Sequence, residues 1–148
     1  MNNTTISEAR VTLGALLRKP YEALQTKVYA ALAERGFSDV RPAHSSVFRY
    51  IKPEGSRVSD LAERADMTKQ SMAYLTANLT DLGYVTIAPD PSDARAKLVV
   101  LTDRGRAVWE ALVDLSLDAE AHSSARIGAE RMTQLRAILS DLAKAMSD

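Results

Sequence analysis

A chain of 148 residues with 46% hydrophobic and 26% charged residues fits one globular domain and excludes wholesale disorder. Nineteen basic residues balance nineteen acidic ones, so there is no large basic field, and any hold on a polyanion must come from a few placed cations and helix N-termini. Without cysteine, disulfides, thiolate metal sites and cysteine-based redox sensing are excluded.

No apolar run approaches the ~18 residues that mark a membrane span, so no membrane partner is expected. The first residues, Met1-Asn2-Asn3-Thr4-Thr5-Ile6, lack the basic and apolar regions of a secretory signal, which points to a cytoplasmic protein. From residue 7 to about 35 the spacing of Leu13, Leu16, Leu17, Leu24, Val28 and Leu32 predicts a helix. Pro20 interrupts it, either kinking the helix or opening a second one, since proline lacks the amide a helix interior needs. Gly36 closes the segment as a C-cap. Pro42 opens another helix that runs to Ile51, and residues 52–55 are a turn.

Ser56-Arg57-Val58 reads as a brief strand, and Ser59 as the cap of a short helix over 60–65 with Asp60 in its first position. After Asp66-Met67, Thr68 caps a further helix to Leu82, which Gly83 ends. Residues 84–87 then form a strand, 89–94 a hairpin tip and 97–101 the return strand. Two short helices followed by a hairpin make a winged helix-turn-helix. From Thr102 the chain is helical again, with Asp103 at the positive helix end and Val108, Leu112, Leu115 and Ala119 at helical spacing. A break near Ile127-Gly128 precedes a last helix with the apolar stripe Met132, Leu135, Ile138, Leu139, Leu142 and Met146.

The expected fold is therefore mainly α with a small β-hairpin wing, one domain over 1–148. Its winged helix-turn-helix core lies at 56–105, with N- and C-terminal dimerisation helices at 7–36 and 106–148. A core of about 50 residues is marginal alone, yet the flanks carry more apolar surface than it needs. A homodimer packed through those flanks is the expected use of it. The alternative is a monomer whose terminal helices complete one core. A dimer would set two recognition helices about one DNA turn apart, on a pseudo-palindromic site.

On a wheel of 100° per residue, Met72, Leu75, Leu79 and Leu82 share one face of the Thr68-capped helix, and Gln70, Ala73, Tyr74 and Ala77 the other. Lys69 and Asn78 stand at its margins. Gln70 suits an adenine edge and Tyr74 a thymine methyl or a phosphate. Thr68, Lys69 and Ser71 in the first turn suit phosphates. At the tip of the hairpin, Arg95 fits a narrow minor groove. Asp93 would brace its guanidinium and Lys97 would meet a phosphate. Over 56–106 seven basic residues face seven acidic ones, which puts added weight on Arg95.

Other chemistry is thinner. Asp118 and His122 share a helix face but need a third ligand brought by folding, so no metal site is assigned. No cofactor is expected either. There is no P-loop, dinucleotide turn or H-E-x-x-H, and the His-Ser pairs are adjacent residues that do not face one another, so no enzyme activity is expected. For a small-molecule pocket, Tyr21, His44, Phe48, Arg49, Tyr50 and Trp109 lie near the expected junction. Phe48 and Trp109 read as core, which leaves Tyr21 and His44 as the ligand-binding candidates.

The run Asp-Pro-Ser-Asp-Ala-Arg-Ala-Lys-Leu-Val-Val-Leu-Thr-Asp-Arg-Gly at 90–105 closely resembles the wing signature of the MarR family of bacterial transcription regulators. Residues 59–72 resemble the helix-turn-helix of one of its subgroups, and Leu82-Gly83-Tyr84-Val85 is similar to the family's exit from the recognition helix. The motif match covers about 56–105; the flanks agree in layout. The resemblance implies a homodimeric repressor, less often an activator, that binds a palindrome in double-stranded promoter DNA. It also implies a small-molecule effector in a cleft between dimerisation helices and winged domain. It assigns recognition to Gln70, Ser71 and Tyr74 and the wing arginine to Arg95. Pro20 departs from the family's uninterrupted first helix. Two other readings compete: a winged-helix protein-interaction module, and a metal- or ligand-binding protein without a DNA role.

Overall fold

The structure, a computed structural model, describes residues 11–147, so the predicted helical turn at 7–10 lies outside the described residues. Helix α1 spans Leu13–Glu34, capped by the Thr12 hydroxyl, which accepts from the Ala15 amide at 3.3 Å. It runs unbroken through Pro20. The lost hydrogen bond would have gone to the Leu16 carbonyl, and both residues are exposed, so water can replace it. Pro42 opens a single 3₁₀ turn, Pro42–His44, that leads into α2, Ser45–Tyr50.

Helices α3 (Val58–Arg64) and α4 (Lys69–Asp81) form the helix-turn-helix. Between them Asp66 adopts φ +52°, a conformation Asp tolerates better than most residues, and the Met67 amide returns to the Ala62 carbonyl at 2.9 Å. The Ser59 cap is a correction: α3 begins at Val58 with Arg57 in the cap position and no capping side chain. Ser56 is no independent strand. Its amide and carbonyl both bond Val99, at 3.0 and 2.8 Å, which adds one bridge to the edge of the hairpin. That tertiary pairing fixes the extended residues 56–57 and lets the helix start directly after them.

Strands β1 (Val85–Asp90) and β2 (Asp93–Leu101) pair antiparallel, Val85 with Leu101 through Pro89 with Lys97. The register then breaks, with Asp90 opposite Asp93, so Ala94, Arg95 and Ala96 bulge from β2. The turn itself is only Pro91-Ser92, and Arg95 stands in the bulge just behind it rather than at the tip. Gly105 opens α5 (Asp103–Ile127), where a Cβ would come within 1.8 Å of the Tyr84 carbonyl oxygen. Only glycine lets the helix start lie on the first strand so closely. Gly128 at φ +101° separates α5 from α6, Ala129–Ala145, as the predicted break requires.

One hydrophobic core joins Val28 and Leu32 of α1, Val47 and Phe48 of α2, Leu61, Met72, Leu79, Val85, Val99 and Val108. The predicted inner face of α4 faces the core: Met72 and Leu79 are buried in it, and Leu75 and Leu82 pack half-buried against it. Outside this core the pattern changes. α6 buries no side chain, and Leu13, Leu16, Leu17, Ile138 and Met146 are exposed. Among the described residues no helix is long and apolar enough to cross a membrane.

Candidate nucleic-acid interface

The recognition helix α4 begins at a side-chain cap. Thr68 Oγ1 accepts from the Ser71 amide at 3.1 Å and donates to Ser71 Oγ at 2.8 Å. Thr68 is thus spent on the cap. The amides of Lys69 and Gln70, ahead of the capped one, have no helical acceptor and stand beside the exposed side chains of Lys69, Gln70 and Ser71. Gln70, Ala73, Tyr74 and Ala77 are all exposed, Tyr74 at 74%. Tyr74 thus leaves its ring and hydroxyl open to a partner on this face. Gln70, Ser71 and Tyr74 also line a shallow groove against Ala43 and Ser46.

Asn78 departs from the expectation. It is half-buried, and its Oδ1 lies 2.6 Å from His44 Nε2. His44 Nδ1 accepts from the Arg41 amide at 3.0 Å, which places the ring proton on Nε2 for donation to Asn78. The buried His44 therefore ties the 3₁₀ turn to the recognition helix. It is a structural link, and it does not line the cavity for which it was a candidate ligand residue.

The wing holds a second correction. Asp93 does not brace the Arg95 guanidinium. Its Oδ1 accepts from the Arg95 backbone amide at 3.0 Å, while its Oδ2 faces Arg57 at 3.8 Å. Arg57 also holds Asp90, with Nε donating at 2.9 Å and the second nitrogen 2.7 Å from the same Oδ2. Asp90 Oδ1 accepts from the Ser92 hydroxyl at 2.7 Å and the Ser92 amide at 2.9 Å. The Ser92 hydroxyl, then its amide, then Arg57 hold the Asp90 carboxyl down at about 2. Arg95 and Lys97 are exposed and have no ion pair among the described residues. Sequence reasoning missed Arg57, whose only signal was a basic residue where a capping side chain is usual.

Beside the interface lies a cavity of about 570 Å³ between α1, α2 and α5. Leu24, Val28, Phe48, Trp109, Leu112 and Val113 supply its apolar wall. Its polar groups are Tyr21, Gln25, Tyr29, Ser45, Arg49 and Ser116. Arg49 is the one charged side chain on this wall, and its guanidinium donates to the Tyr21 hydroxyl at 2.9 Å. Burial pushes the Tyr29 phenol up, against the lowering effects of a Ser45 hydrogen bond and the Arg49 charge. Of the residues expected at the junction, Tyr21, Phe48, Arg49 and Trp109 line the cavity, and Tyr50 does not. Asp118 and His122 are exposed on α5, and among the described residues no three His, Cys, Asp or Glu side chains gather as metal ligands.

Comparison with known proteins agrees with this geometry. A sequence model of the MarR family matches residues 38–96. The transcriptional activatory protein BadR of Rhodopseudomonas palustris is 35% identical over 65 residues, which span 44% of this chain and 37% of that relative. The chain thus aligns with little more than a third of that relative's length. The transcriptional repressor CouR, solved bound to a 23-mer DNA duplex, superposes with a TM-score of 0.73 at 21% identity, covering 96% of this chain and 99% of that one. The Mycobacterium tuberculosis MarR family protein Rv2887, in complex with salicylic acid, is 28% identical with a TM-score of 0.66, covering 88% and 96%. The chain is thus similar in sequence to the MarR family over the helix-turn-helix and wing, and shares its fold through the flanking helices.

Proposed function

We propose that the protein is a sequence-specific DNA-binding transcription regulator of the cytoplasm, acting as a homodimeric repressor on a pseudo-palindromic promoter site. The observation that carries this reading is the pairing of two exposed, chemically suited elements. The outer face of α4 offers Gln70 and Tyr74 with small Ala73 and Ala77 between them, and the β2 bulge offers Arg95 without an acidic partner for its side chain. Gln70 and Tyr74 read the major groove, Lys69, Ser71 and Lys97 hold phosphates, and Arg95 enters the minor groove. The second copy is supported by α6, where Leu135, Ile138 and Leu139 of the apolar stripe, with Met146 just beyond it, stay exposed in one chain.

The cavity supports a small-molecule effector. An apolar and aromatic wall with a single guanidinium suits a small planar acid, and one relative of the fold is solved with salicylic acid. A ligand that engages Arg49 competes with the Tyr21 hydroxyl and so acts on the spacing of α1 and α2.

Fluorescence anisotropy tests the DNA role. A duplex from upstream of the chain's own gene should bind tightly and lose affinity steeply as salt rises. Binding that is equally weak on all sequences, or insensitive to salt, sinks the regulator reading and favours a protein-interaction module.

A further inference from the structure

The hairpin turn carries two carboxylates, Asp90 and Asp93, on either side of Pro91-Ser92. On the proposed reading this is the part of the molecule that enters a groove lined by phosphates, where an uncompensated acid opposes binding. Both carboxylates also lie within a few residues of Arg95 and would compete with DNA for its charge. The structure shows neither acid left to itself. Arg57 reaches Asp90 through two nitrogens, at 2.9 and 2.7 Å, and Asp93 at 3.8 Å.

Its placement is well suited to this. The backbone of Ser56 is bonded on both sides to Val99, so Arg57 departs from the edge of the wing sheet itself. Arg57 is also the residue before α3, where its side chain makes no capping bond. The Asp90 side chain is only 9% exposed and its other oxygen is filled by Ser92, so the carboxylate cannot turn elsewhere.

We propose that Arg57 is a positioning residue that masks the two wing acids, so that Arg95 reaches DNA with its charge uncompensated. This inference rests on the DNA-binding reading. Arg57 belongs to the protein's own charge pairing and need not touch DNA to raise its affinity.

The test uses the full chain and a duplex that the wild type selects from a randomised pool. Arg57→Gln keeps an amide that can bond Asp90 and removes the charge; a retained cooperative thermal transition and wild-type circular dichroism establish that it folds. It should bind about tenfold more weakly, the scale of one lost cationic contact, with the deficit shrinking as salt screens the acids. Adding Asp90→Asn and Asp93→Asn to Arg57→Gln should bring binding back to within about threefold of wild type. Asp93→Asn alone, with Arg57 present, should change binding by less than about twofold. If the wild type selects a site but Arg57→Gln binds as wild type does, the mask is overturned and the regulator reading stands. The same holds if the triple variant stays as weak as Arg57→Gln. If the wild type selects no site and binds without salt dependence, the regulator reading fails and the mask fails with it.

Discussion

Leu61, Met72, Leu79, Tyr84, Val85 and Val99 of the winged region are almost wholly removed from solvent, whereas α6 buries none of its seventeen residues. The same contrast runs through α1, where Val28 and Leu32 are buried but Leu13, Leu16 and Leu17 are not. Polar groups follow the same division. His44, Thr76 and Asp90 are buried with their hydrogen bonds made, and the polar side chains of α6 are all exposed. One region is finished within a single chain; on the proposed dimer the other is completed by a second copy. Full burial of a Leu, Ile or Met side chain contributes about 1.5–3 kcal/mol; Ile138 and Met146, 63% and 72% exposed, forfeit most of that in one chain, and Leu135 and Leu139, at 41% and 39%, forfeit a smaller part.

This contrast can be broken from either side, and the finished region should break hardest. Gly105→Ala drives a methyl group onto the Tyr84 carbonyl and should cost about 3–5 kcal/mol of stability in urea unfolding, within the range of severe packing and backbone defects. A loss below about 1 kcal/mol would mean that α5 can move off β1. In the open region, Ile138→Glu replaces a side chain that is 63% exposed in one chain. It should leave secondary structure intact while weakening self-association about 100-fold, or about 2.7 kcal/mol, in analytical ultracentrifugation. Wild-type association in that variant would assign α6 to something other than a second copy.

The next effect down belongs to the reading surface. Gln70→Ala should leave stability unchanged and relax base choice at one position of each half-site by about 1–3 kcal/mol, measured by competition among single-base variants of the site. An unchanged base preference would remove Gln70 from the major groove.

The division between regions is also the division between what the chain's letters disclose and what they do not. The Thr68 cap, the outer face of Gln70, Ala73, Tyr74 and Ala77, and the Gly128 break follow from spacings of three or four residues and from single cap positions. Those signals are local, and the fold kept them. The α3 start moved by two residues because Ser56 pairs with Val99, which no local pattern announces. Asn78 looked free because its partner His44 is 34 residues away, and Asp93 looked like a brace for Arg95 because Arg57 is far off in sequence. Charge partners were chosen by proximity in sequence, and the hairpin chose them by proximity in space. Cavity residues Gln25, Tyr29 and Ser45 carried no signal at all, since each is ordinary on its own helix until α1, α2 and α5 meet.

The smallest effect expected is a pair of limbs in the pH profile, both arising from the finished region. The Asp90 carboxyl falls from its ordinary 3.8 to about 2, chiefly through Ser92 and then Arg57. A depressed carboxyl stabilises the fold fully above its unfolded value, so this contribution should fade as pH drops from about 4 to about 2. Tyr84 lies on the other side. Burial first, then its hydrogen bond to Asp39, raises its hydroxyl from 10.0 to about 12. A raised group stabilises the fold fully below its unfolded value, so this contribution should be lost between pH 10 and about 12. Asp90→Asn keeps an oxygen to accept from Ser92 and should flatten the acid limb alone; Tyr84→Phe should flatten the alkaline limb alone. Urea midpoints across pH measure both. If either substitution altered the opposite limb, the wing and the junction of β1 with α5 would be one electrostatic unit. The separate partner sets, Ser92 and Arg57 on one side and Asp39 and Arg104 on the other, require them to act apart.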